Sequence, residues 1–306
     1  MASVPGMRSH ETTKGANAPF SPAPAGPDRP HDDEGRGSGV ALTLGSAASN
    51  QVGASLGAMA FPAIGPVGVV AVRQLVAATV LVLAVRPRVR GLTHGQWWPV
   101  LGLSLAFGVM NLCLYASVER VGLGMAVTLE FLGPLTVAAL GSGRRRDLAC
   151  AGLAAVGVLV LTSPGPTTDV VGIGLGLVAA GAWAAYILLN RSIGRALPGL
   201  QGTALASSVA SIVWLPVALG WFWLHAPGPT AILLAVGCGL LSSVVPYVAD
   251  LLALRRVSAG TFGVLVSSNP VLAALAGLVL LGQSLDLHAW VGIGLIVTSN
   301  VVVARR

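Results

Sequence analysis

NLCLYASVERVGLGMAVTLEFLGPLTVAAL (111–140) and YVADLLALRRVSAGTFGVLVSSNPVLAALA (247–276) lie 136 positions apart, Arg120 to Arg256, and share six identities without a gap. The matches are Arg120/Arg256, Val121/Val257, Gly124/Gly260, Leu129/Leu265, Pro134/Pro270 and Ala138/Ala274. In apolar sequence six matches say little alone, so their meaning depends on what lies between them. A bilayer core of about 30 Å takes roughly 20 apolar residues of helix at 1.5 Å per residue. Ten runs of that kind can be marked: 40–58, 66–85, 97–117, 122–140, 147–163, 170–189, 201–223, 230–252, 259–281 and 288–304. Helices 4 and 9 are then five spans apart. Five is odd, so the two stretches cross in opposite senses, which is the inverted-repeat arrangement of secondary transporters.

Composition agrees with a bilayer as the main solvent. Of 306 residues 54% are hydrophobic and 9% charged, against roughly 25% charged in soluble domains; the mean hydropathy is +0.80. The net charge of +7 does not point to nucleic acid, because the basic residues sit in the short gaps between apolar runs. With the N-terminus inside, the cytoplasmic side holds Arg86, Arg88, Arg90, Arg144, Arg145, Arg146, Arg191, Arg195, Arg255, Arg256, Arg305 and Arg306, while the opposite loops hold Arg120. Short basic loops stay cytoplasmic, so both termini are expected inside. The expected architecture is an all-α integral membrane protein: a disordered cytoplasmic tail (1–39, rich in Pro, Gly and Ser), a first repeat (40–163) and a second (170–304).

At membrane depth a charge costs about 2.5–3.5 kcal/mol on insertion scales, so each one needs a partner or a purpose. Arg73 lies seven residues into helix 2 and Glu130 eight into helix 4, both counted from the outer face. Both are therefore roughly 11–12 Å deep. In the functional reading Arg73 holds a substrate carboxylate and Glu130 an amino group or a coupling proton; a structural ion pair between the two helices is the equal alternative. Pro134 and Pro270 release the carbonyls of Glu130 and Val266, and prolines at matching places in two halves mark either a binding region or simple kinks. Asp250, after Pro246-Tyr247, is a gating carboxylate or the partner of Arg255. Trp183 and Tyr186 share one side of helix 6 as cavity lining or core. Asn50, Gln51, Asn111, Tyr247 and Asn269 complete the polar candidates.

Other chemistries find no footing. Cys113, Cys150 and Cys238 fall inside apolar runs and read as small core residues, with no metal-ligand spacing. The histidines (10, 31, 94, 225, 288) lie in the tail, loops or a helix end. No phosphate loop and no nucleophile–base set is present, so neither cofactor nor enzymatic site is expected. The pairs Gly53/Gly57 and Gly172/Gly176 permit close helix approach, either in ordinary packing or across a homodimer.

Four segments carry a family resemblance: QVGASLGAMAFPAIGPVGVVAVRQ (51–74), GVMNLCLYASVERVGLGMAVTLEFLGP (108–134), GAWAAYILL (181–189) and PYVADLLALRRVSAGTFGVLVSSNPVLAALAGLVLLGQ (246–283). They resemble EamA-type members of the drug/metabolite transporter superfamily, and most of all its bacterial inner-membrane threonine/homoserine exporters. The resemblance runs over 40–304. It implies two EamA repeats and export of a small-molecule substrate across the lipid bilayer, driven by protons or by the substrate gradient. Asp250 stands where the pattern has Glu, Asn269-Pro270 where it has Glu-Pro, and Gly282-Gln283 where it has Gly-Glu. An exporter of a drug-like or other metabolite on the same fold is the near rival; a membrane-embedded enzyme is the remote one.

Overall fold

The computed structural model describes residues 30–89, 92–142, 145–162, 169–197, 201–253, 256–257, 262 and 265–304, and among them every regular element is helical. In chain order these are α1 (Pro30–Met59), α2 (Phe61–Val85), α3 (His94–Val121), α4 (Leu123–Glu130), α5 (Leu132–Ser142), α6 (Arg145–Thr162), α7 (Val170–Ala196), α8 (Gln201–His225) and α9 (Pro229–Gly239). A π-helical turn (Leu240–Val244) joins α9 to α10 (Val245–Ala253), and α11 (Asn269–Leu281) and α12 (Leu287–Ala304) close the chain.

Among the described residues, five stretches are long and apolar enough to cross a membrane: Phe61–Val85, His94–Val121, Val170–Asn190, Gln201–His225 and Pro229–Asp250. Four shorter apolar helices accompany them. The outer surface is what a bilayer demands: Leu105, Ile212 and Val279 are 68%, 72% and 76% exposed, a loss in water but none in hydrocarbon.

Several boundaries differ from those read in the sequence, each for a local reason. Helix α1 starts at Pro30, ten residues before the expected 40, with the fixed φ of proline suiting a first helical position; residues 1–29 of the expected tail lie outside the described residues. The expected helix 122–140 is two helices meeting at Phe131. Position 133 is Gly, and Pro134 has no amide hydrogen to bond the Glu130 carbonyl, so the ladder lapses there. The expected 259–281 is described as helix from Asn269, after a turn at Ser267–Ser268. Its first part lies largely outside the described residues. Phe131 and Ser267 stand 136 positions apart, the offset between the two matching stretches 111–140 and 247–276.

Helix α2 bends at its start, where Gly65 has φ +62° before Pro66. The indole of Trp221 on α8 donates to the Ile64 carbonyl at 2.7 Å, satisfying the acceptor that the bend sets free. At the other end of the chain α6 lies against α12, with Gly292 packed on the Leu161 backbone and Ser299 Oγ donating to the Cys150 carbonyl. The small-residue pairs are consumed inside the chain. Gly53 faces Ser242, Gly57 faces Tyr115 and Cys238, Gly172 faces Val121, and Gly176 faces Leu129.

Arg120, at the end of α3, reaches Asp169 at the start of α7 at 3.0 Å. Asp169 also caps α7 through the Gly172 amide. That amide first, and Arg120 second, hold the Asp169 carboxyl below its ordinary value. A lowered carboxylate contributes above its unfolded pKa, and the contribution is lost as pH falls through the lower folded value. Exposed pairs contribute little, and this one lies outside the cavity described next. Arg120→Ala is therefore expected to leave the thermal midpoint of the purified protein close to that of the parent, since surface pairs are worth so little.

Candidate functional site

A prolines-and-carbonyls logic builds the centre of the molecule. Pro246 has no amide hydrogen, so the Ser242 carbonyl four residues earlier has no helical donor. Arg73 on α2 supplies one, with Nη2 at 3.0 Å from that oxygen. The same guanidinium donates through Nε to Ser243 Oγ at 3.1 Å and through Nη1 to Tyr115 Oη at 3.0 Å. Its carbon also sits 5.4 Å from the Tyr115 ring centroid, a cation–π contact. The π turn is stitched to α1 twice, Ser49 Oγ donating to the Leu241 carbonyl and Ser242 Oγ to the Asn50 carbonyl.

Pro270 does the same for the second break. The Val266 carbonyl it releases accepts from Asn269 Nδ2 at 2.9 Å, and Asn269 Oδ1 accepts from Gln51 Nε2 at 2.8 Å. Because a carbonyl only accepts, Asn269 must turn its nitrogen to Val266 and its oxygen to Gln51. Gln51 must then offer its nitrogen, which leaves its Oε1 buried without a described partner. Asn111 is oriented by the same rule: Nδ2 donates to the Phe107 carbonyl at 2.8 Å, and Oδ1 is left over.

These groups surround one cavity of about 190 Å³. Helix α1 contributes Asn50 and Gln51, α2 Arg73, α3 Asn111, α4 Glu130, α7 Trp183 and Tyr186, and α10 Asp250, with Asn269 at the start of α11. Nine of the twelve positions marked in the sequence thus meet in one place. Arg73 and Glu130 share its wall, as their equal depth implied, and the three bonds of Arg73 given above go to Ser243, Tyr115 and Ser242 rather than to Glu130. Trp183 packs edge-to-face on Phe131 at 4.8 Å, and Tyr186 receives a bond from Asn190. Asp250 shares the cavity wall with Ser46 of α1; Arg255 is outside the described residues. Pro134 and Pro270 act from beside the cavity, through the backbone, and the side chain of Tyr247 lies outside the described residues.

Sequence reasoning missed Tyr115, Ser242, Ser243 and Cys238. Tyr115 is 1% exposed and its hydroxyl lies 3.0 Å from Cys238 Sγ. Pro246 was the available signal: applying to it the carbonyl rule used for Pro134 and Pro270 would have led to Ser242. Among the described residues no cluster of His, Cys, Asp and Glu is arranged to hold a metal ion.

Comparison with known proteins agrees with this architecture. The pattern of the EamA-like transporter family matches residues 170–305. Threonine/homoserine exporter RhtA of Escherichia coli (strain K12) is 34% identical over 272 residues, covering 86% of this chain and 90% of that protein. RhtA of Salmonella typhimurium (strain SL1344) is 34% identical over 255 residues, 80% of this chain and 84% of the other. The uncharacterized transporter YwfM of Bacillus subtilis (strain 168) is 24% identical over 252 residues, 78% and 84%. A solved protein structure at 20% identity superposes with a TM-score of 0.58 over 88% of this chain and 98% of that one, a likeness of fold. The apolar spans, the polar cavity enclosed among them and an identity of 34% along most of the sequence have one joint meaning: the chain belongs to the EamA-like transporter family and is a multi-pass membrane transporter, not an enzyme.

Proposed function

We propose that the chain exports small amino acids of the threonine or homoserine kind across the bacterial inner membrane, as a secondary transporter. The observation that carries this reading is the sharing of one small cavity by Arg73 and Glu130. A zwitterion brings a carboxylate, which a guanidinium fork receives, and an ammonium with three donors, which Glu130 receives together with the acceptor-rich wall around Gln51 and Asn111. The cavity volume of about 190 Å³ is below the roughly 300–1,000 Å³ of drug-sized pockets, which favours a small metabolite over a drug-like one. The printed names of the RhtA relatives support the same substrate class.

The architecture that accompanies this reading has ten spans in two inverted repeats, 40–163 and 170–304, with both termini cytoplasmic. Breaks at Phe131 and Ser267, at the offset of the sequence repeat, support it. Glu130 serves either the ammonium or a coupling proton. Efflux of labelled threonine and homoserine from cells overproducing the protein is expected to run several-fold faster than from cells carrying an empty vector. Equal rates would remove these substrates and leave the fold standing.

A further inference from the structure

A second cavity of about 380 Å³ lies at the far ends of the same helices, lined by Ala58, Phe61, Pro62, Val118, Glu119, Leu281 and Gln283. Its distance from the central cavity can be read along two helices. Helix α1 gives Ala54 to the central wall and Ala58 to the second, and α3 gives Leu114 and Val118. Four residues are one turn, about 6 Å.

The buried aromatic side chain at that level is Tyr115. Tyr115 follows Leu114, is buried, takes Phe61 edge-to-face at 5.9 Å, and presses on Gly57 closely enough that a Cβ there would stand 2.8 Å from its ring. Cys238 closes the other side, 3.0 Å from the Tyr115 hydroxyl. The layer is also tied to the central cavity, since Tyr115 receives Arg73 Nη1 and lies under its guanidinium.

We propose that the second cavity is the exit vestibule of the transporter and that Tyr115 is the door between the two, held shut by Arg73 until a substrate carboxylate takes the guanidinium. This rests on the reading of the substrate as a small zwitterion and of these helix ends as external. The exchange is favourable in kind: a carboxylate binds the guanidinium fork through two charge-assisted bonds, whereas the neutral phenol offers one. Release of Arg73 removes both the hydrogen bond and the cation–π contact that fix the ring. Glu119 at the vestibule wall then offers the ammonium its next acceptor.

Cys238 reports on the door. In right-side-out vesicles carrying the full chain with Cys113→Ser and Cys150→Ser, an impermeant cationic methanethiosulfonate added outside is expected to label Cys238 slowly. Threonine is expected to speed that labelling several-fold, and Tyr115→Ala to speed it at least tenfold without substrate. Tyr115→Phe, which fills the same space and cannot bond Arg73, is expected to label at an intermediate rate that threonine no longer changes. Parent-like labelling in Tyr115→Phe, with an intact response to threonine, would overturn the proposal, and so would a folded Tyr115→Ala that stays closed. Opening by Tyr115→Ala without any threonine effect on the parent would uphold the door and reject the substrate.

Discussion

Replacing Glu130 by Gln is expected to bring threonine efflux down to the level of cells without the protein. The side chain keeps its size, so packing in α4 is preserved; what is lost is the ionisable carboxyl in a cavity whose other wall carries Arg73. A hydrogen bond to a charged group is worth about 1.5–3 kcal/mol net, and each 1.4 kcal/mol is tenfold. The expected loss is therefore between about ten- and a hundredfold. Arg73→Ala is expected to be as severe, because it removes the carboxylate fork and also strands Ser243, the Ser242 carbonyl and Tyr115 without their donor. Arg73→Lys restores a charge but not a fork, so it should recover only part of the rate. A purely structural ion pair predicts something different: Glu130→Gln would then lower the thermal midpoint of the purified protein together with its activity. Wild-type efflux in either variant would exclude the pair from the site.

Gly53→Ala is expected to have the largest effect after those of the Arg73 and Glu130 variants. The added Cβ would meet Ser242 Oγ, the Ser242 amide nitrogen at 2.7 Å and Leu241 Cβ at 2.9 Å. Two of these atoms belong to or adjoin the backbone of the π turn, which cannot yield as a flexible side chain would. Helix α1 must move away, and overpacking of this kind typically costs about 1–3 kcal/mol. Movement there also pulls apart Ser49 and the Leu241 carbonyl, and Ser242 and the Asn50 carbonyl. Efflux is expected to fall by about tenfold, in proportion to that cost, with a lower thermal midpoint in detergent. Gly45→Ala on the same helix meets nothing within 4 Å and should leave both measurements unchanged.

The sequence carries its large-scale order in hydropathy, because each span must satisfy its own backbone in hydrocarbon. It carries the cavity nearly as well, because polar groups at depth are costly enough to be rare and so identify themselves. Arg73, Glu130, Asn111 and Asn269 were legible for that reason. Tyr115 was not, since an aromatic ring among apolar neighbours looks the same whether it fills a core or faces a guanidinium. The Arg120–Asp169 pair spans 49 positions, and no local pattern joins them. The π turn leaves no mark within its own residues, for LLSSV (240–244) is as ordinary a span segment as any in the chain, and only Pro246 beyond it hints at a lapse.

That turn nevertheless sets an angle. Each residue of an α-helix rotates the next by about 100° around the axis, and a π turn accommodates one residue more than the α-helix it interrupts. Everything past Val244 is therefore out of phase with α9 by that amount. Gly239 can lie against Val76 of α2 while Asp250, further along the same span, looks into the cavity beside Ser46. Two halves of one span thus keep separate azimuths, the first facing a packed neighbour and the second facing the permeating molecule, and a single inserted residue is the gear between them.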